Sequence, residues 1–126
     1  MPTYKTKIPT ESEEQIALVQ WLEAQHPEVP FFHVPNGGNR SKATAGRLKA
    51  EGVRAGVPDI YLPMLSLWVE MKRTVGGRLS KEQAAWIEHL EDKCGHTVIV
   101  ARGFEDAVRQ IENHIASGGY DLLLDT

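Results

Sequence analysis

The chain has a single cysteine, Cys94, so no intramolecular disulfide can staple it, and a reducing, cytoplasmic setting is expected. No apolar run approaches the ~18 residues of a membrane span. The opening Met1-Pro2-Thr3-Tyr4-Lys5 lacks the apolar stretch of a secretory leader. No P-loop is present. The histidines follow no zinc pattern, and Cys94-Gly95-His96 offers only two soft ligands where four are usual. Cys94 has no triad partners that would make it a nucleophile. Internal repeats and low-complexity segments are lacking as well. A net charge of −3 excludes a histone-like binder held by bulk charge.

What is there is an ordinary globular composition. The chain has 126 residues, 41% of them hydrophobic and 25% charged, which predicts one domain able to bury a core. Residues 1–10, with Pro2 and Pro9, read as an irregular arm. Ser12-Glu13-Glu14-Gln15 matches a capping box and predicts a helix from Ser12 to about Gln25. Phe31 to Val34 reads as a strand, Pro35 to Asn39 as a loop, and Ala43 to Glu51 as a helix ended by Gly52. Ile60-Tyr61-Leu62 and Leu67 to Lys72 read as two strands of an antiparallel hairpin. Ser80-Lys81-Glu82-Gln83 is another capping box, opening a helix to about Lys93. Thr97 to Ala101 is a strand and Phe104 to Ile115 a helix. The order α-β-α-β-β-α-β-α implies an α/β domain with a mixed sheet flanked by helices.

The chemistry concentrates on the hairpin. Strand alternation sends Leu67, Val69 and Met71 to the core and puts Trp68, Glu70 and Lys72 on the other face. Antiparallel pairing brings Asp59, at the head of the first strand, close to Glu70 or Lys72. On the first helix, a wheel drawn at about 100° per residue places Glu14 inside the apolar arc of Ala17, Trp21, Leu18 and Leu22. Glu13 falls on the polar side with Gln20 and Glu23. A carboxylate on a buried stripe is costly unless a cation or metal compensates its desolvation, although the helix dipole alone also favours an acid in the first turn. Three oxygen donors near a lysine suit a hard divalent cation such as Mg²⁺. Lys72 beside three acids has its charged form favoured, so it is better suited to positioning water and offsetting negative charge than to acting as a base.

Pro58-Asp59, ten intervening residues and then Glu70-Met71-Lys72 resemble the motif of the PD-(D/E)xK nuclease superfamily. The stretches Glu14 to Val19, Pro35 to Gly38, Gly56 to Asp59 and Leu79 to Gln83 resemble its VRR-NUC branch, the virus-type replication–repair nucleases, over roughly residues 11–116. The resemblance implies a restriction-endonuclease-like fold, with a nuclease domain over residues 11–117 between the arm and a tail at 118–126. It implies a DNA endonuclease dependent on Mg²⁺ or Mn²⁺. Asp59, Glu70 and the Met71 carbonyl would be metal ligands and Glu14 a further one through water, with Glu13 its rival. Lys72 would be the catalytic lysine. Gln83 would support the site, although its place in a capping box accounts for it equally well. Small stand-alone members are expected to be homodimers that resolve Holliday junctions or other branched DNA in repair. The expected setting is the cytoplasm of a bacterial or phage-infected cell. A non-catalytic DNA-binding or assembly protein, and a flap nuclease, are the alternatives.

Between Arg40 and Arg54 lie five basic residues and one acid, against a net acidic background. Asn36, Gly37, Gly38, Arg40, Lys42 and Arg47 therefore form a candidate surface for DNA phosphates, independent of base sequence. Trp21 and Trp86 read as core. Trp68, on the Glu70 face, is the tryptophan that could serve DNA. The apolar run in Tyr120 to Leu124 is a candidate dimer contact.

Overall fold

The computed structural model describes residues 7–35 and 41–119. The elements follow the expected order: α1 (Glu11–Gln25), β1 (Phe32–His33), α2 (Lys42–Ala50), β2 (Ile60–Leu62), a 3₁₀ turn (Pro63–Leu65), β3 (Leu67–Lys72), α3 (Lys81–Asp92), β4 (Thr97–Arg102) and α4 (Phe104–His114), continued by a π turn (Ile115–Gly119). Strands lie in the order β1-β2-β3-β4. β1 and β2 are antiparallel, as are β2 and β3. Thr97 N–H donates to Ser66 O and Gly103 N–H to Lys72 O, bonds that advance the same way along both strands, so β4 runs parallel to β3 and the sheet is mixed.

Two compact units share the chain. One comprises Met71–Arg78 with the described parts of Met1–Val29 and Val100–Thr126; the other comprises the described parts of Pro30–Glu70 with Leu79–Ile99. In the first, α1 packs on α4, and Leu18, Leu22, Ala107 and Ile111 are buried. In the second, Ile60, Leu62, Leu67 and Val69 form the buried face of the β2–β3 hairpin, and Leu90 of α3 is buried too. The turn between the strands is made by Pro63 at the head of the 3₁₀ segment and by Ser66 in the left-handed region at φ 49°.

Two expectations at helix and strand ends are corrected. α1 begins one residue earlier than expected, because Thr10, not Ser12, is its cap. Thr10 Oγ1 accepts from Glu13 N at 3.1 Å, and Glu13 Oε1 accepts from Thr10 N at 3.0 Å. Thr10-x-x-Glu13 is thus the box that closes, directly after Pro9. The backbone and side-chain bonds with Thr10, with the charge of Lys7, hold the Glu13 carboxyl below its ordinary range. The first strand is also shorter than expected, with two residues. Among the described residues no helix is long and apolar enough to cross a membrane.

Candidate active site

The hairpin register pairs Ile60 with Val69, Tyr61 with Trp68 and Leu62 with Leu67. Asp59 directly precedes β2, and continuing the same register by one step would set it opposite Glu70. The Asp59 backbone is fixed from the other side: its carbonyl accepts Val34 N–H at 2.7 Å and His33 Nδ1–H at 2.8 Å. Leu67, Val69 and Met71 are fully buried, as alternation requires. Glu70 and Lys72 depart from a simple polar outer face, being only 2% and 6% exposed. A solvated sheet edge is therefore not their setting.

α3 supplies the neighbour of Glu70. Ser80 caps the helix, its hydroxyl accepting Gln83 N–H at 3.1 Å. Gln83 Oε1 accepts Ser80 N–H at 2.8 Å, and Gln83 Nε2 donates to Glu70 Oε1 at 2.9 Å. The two ends of one amide thus close the cap and hold the carboxylate, so a place in the cap does not exclude contact with Glu70. Gly56 lets the loop approach this helix end. Its φ is +88°, and a Cβ there would lie 2.5 Å from the Glu82 carbonyl carbon and 2.7 Å from Gln83 N. The value of Gly56 was legible only as part of the Gly56-Val57-Pro58-Asp59 stretch, not as a packing requirement.

In the first unit, Glu14 is half-buried and its Oε2 accepts Phe104 N–H at 3.1 Å, at the start of α4. The α4 N-cap is Gly103, which has no capping side chain, so Glu14 supplies from α1 what the cap residue lacks. Gly103 has φ +94°, and a Cβ there would run into the Glu14 carboxylate and Thr74. A cavity of about 580 Å³ opens beside Glu14, with Thr74, Arg102 and Arg109 in its wall. Asp106 also lines it. Burial opposes ionisation of Asp106, but the Arg102 N–H, Arg109 and Gln110 outweigh it and hold the carboxyl below its ordinary range. Glu13 is exposed and occupied with its cap, unlike Glu14.

Among the described residues, no three His, Cys, Asp or Glu side chains come together as a metal cluster. The pair Asp59 and Glu70 nonetheless suits a hard cation by donor chemistry, since Mg²⁺ takes one or two carboxylates and completes its shell with water and phosphate oxygens.

Of the expected DNA contacts, Lys42 and Arg47 lie on α2, which buries none of its residues. Arg47 and Glu51 approach to 3.9 Å, both well exposed. Asn36, Gly37, Gly38 and Arg40, and the tail Tyr120 to Leu124, lie outside the described residues.

The VRR-NUC domain family matches residues 9–105. A solved structure described as a VRR_NUC domain protein superposes with a TM-score of 0.74 at 25% sequence identity, over 88% of this chain and 92% of that one. No curated protein gives a significant match.

Proposed function

The chain belongs to the VRR-NUC domain family, and from that premise we propose that it is a metal-dependent, structure-selective DNA endonuclease that hydrolyses phosphodiester bonds in branched DNA such as Holliday junctions. The observation that carries this reading is Glu70: a carboxylate 2% exposed, tied to Gln83 and, by the continued register, opposite Asp59. Keeping a carboxylate inside is costly, and chemistry is a strong reason for doing so.

In this reading Asp59 and Glu70 would hold Mg²⁺ or Mn²⁺, with the Met71 carbonyl as a third donor. When bound, such an ion lowers the pKa of water and offsets negative charge on the phosphate. Gln83 keeps Glu70 in one orientation, so its second oxygen presents a fixed direction. Lys72 orients the attacking water and counters the charge that grows on the phosphoryl oxygens. Lys42 and Arg47, with Asn36, Gly37, Gly38 and Arg40, grip phosphates without reading bases. One chain has one such site, so cutting two strands of a junction calls for a homodimer.

The test is cleavage of four-way, flap, splayed and blunt duplex DNA with Mg²⁺ or Mn²⁺. Paired, symmetric cuts in four-way DNA and sparing of blunt duplex are expected. A chain that cuts none of the four would overturn the reading.

A further inference from the structure

Phe32, Tyr61 and Trp68 form one row across β1, β2 and β3, since Phe32 pairs with Tyr61 and Tyr61 with Trp68. Tyr61 and Trp68 stack with ring centroids 4.2 Å apart and planes at 30°. Phe32 meets Tyr61 edge-on at 5.8 Å. His96 stacks on Tyr61 at 5.7 Å and extends the row. Trp68 Nε1–H donates to His96 Nδ1 at 3.0 Å, which satisfies the indole and fixes its ring. Directly opposed residues share a face of a sheet, and successive residues alternate. The row therefore lies on the face of Asp59 and Glu70, not on the buried face of Ile60, Leu62, Leu67 and Val69.

Packing does not explain the outer end of this row. Phe32 is 51% exposed, on an edge strand whose two residues are both exposed. Much of what such a ring gains from burial is forgone here. The rings behind it are already held in place, so little freedom is lost when another planar group settles on them. Trp68 and Glu70 are separated by two residues, or about 6.7 Å of strand rise, and β1 lies two strand spacings, about 10 Å, from β3. A group stacked on Phe32 thus sits about 12 Å from Glu70 along the sheet.

Resting on the nuclease reading above, we propose that Phe32, backed by Tyr61 and Trp68, is a stacking shelf for an unpaired DNA base, so that the substrate is DNA carrying an unpaired nucleotide close to the scissile phosphate. A base inside a duplex has both faces covered by its neighbours. An unpaired base offers a free face, and every base has one, so the shelf selects structure and not sequence. Branch points, flaps and splayed ends supply such bases; blunt duplex does not.

The test uses a single strand containing 2-aminopurine, and the same strand in a blunt duplex, with the full chain in excess chelator so that binding is read without cutting. The single strand is expected to bind more tightly than the duplex, with quenching of the 2-aminopurine fluorescence. Phe32→Leu, which stays apolar but removes the ring, is expected to abolish the quenching and weaken single-strand binding about tenfold or more. Phe32→Trp is expected to restore both. Undiminished quenching and affinity in Phe32→Leu, or a wild-type preference for blunt duplex, would overturn the shelf. Tighter, ring-dependent binding of the same sequence as RNA would overturn the assignment to DNA. Branched-DNA cleavage without ring-dependent quenching would sink the shelf alone. Ring-dependent quenching by a chain that cuts no DNA would sink the nuclease reading and leave the shelf standing.

Discussion

The Gln83 side chain donates to Glu70 Oε1 at 2.9 Å while its carbonyl accepts Ser80 N–H at 2.8 Å. One residue thereby couples the start of α3 to the carboxylate on β3. Ser80→Ala removes the hydroxyl half of the cap and is expected to cost about 1 kcal/mol, with cleavage largely kept. Gln83→Ala is expected to cost a similar amount in stability but to lower cleavage by about 10–100-fold, because Glu70 loses its orienting partner. Urea unfolding and single-turnover cleavage of the two variants side by side check this.

Gly56→Ala is expected to destabilise the chain by about 1–3 kcal/mol through its left-handed backbone alone. The clash with the Glu82 and Gln83 backbone adds to that and displaces Gln83 from Glu70. Denaturant unfolding measures the first effect, and the cleavage rate at a denaturant-free, fully folded temperature measures the second. A variant as stable and as active as the wild type would contradict the packing described at this loop.

Asp106 sets an acid limit on α4. Its carboxyl is held below the ordinary value in the folded chain, so the charged form is favoured by folding. The resulting stabilisation is present above the unfolded pKa, near 4, and is lost as pH falls through the lower folded value. Urea titrations between about pH 3 and pH 6 are expected to show wild-type stability falling at the acid end. Asp106→Asn, which has no such charge to lose, is expected to fall less steeply over that range.

Lys42→Ala and Arg47→Ala are each expected to weaken binding of all DNA sequences alike. Each should lower the magnitude of the log K against log salt slope by about one. The Arg47–Glu51 pair is exposed, so breaking it costs the fold little. Fluorescence anisotropy across a salt series reads both slopes. An unchanged slope in both variants would remove α2 from the DNA surface.

The fold was legible where local chemistry and burial agree. Leu67, Val69 and Met71 alternate, and the strand is where they put it. Ser80-Lys81-Glu82-Gln83 opens α3 as a capping box should. Ser12-x-x-Gln15 reads from sequence as the closing box and is overturned, because the overlapping Thr10-x-x-Glu13 has the same residue chemistry and is the one that closes. The helix wheel separated Glu14 from Glu13 but could not name the partner of Glu14, Phe104, which lies 90 residues away. Likewise, alternation placed Glu70 and Trp68 on one face. It could not tell that Glu70 is buried under an amide of α3, nor that Trp68 continues through Tyr61 to an exposed Phe32, because both facts depend on what the fold lays beside the strand.

The central claim, that Asp59 and Glu70 form the site of metal-assisted DNA hydrolysis, is tested most directly by Glu70→Gln, which keeps shape and removes charge. The measurement is single-turnover cleavage of four-way and flap DNA with Mg²⁺, alongside DNA affinity in chelator. Wild-type cleavage, a loss of at least about a hundredfold in Glu70→Gln and retained affinity are the predicted results. Cleavage by Glu70→Gln at the wild-type rate, or wild-type cleavage that persists in excess chelator, would contradict the account.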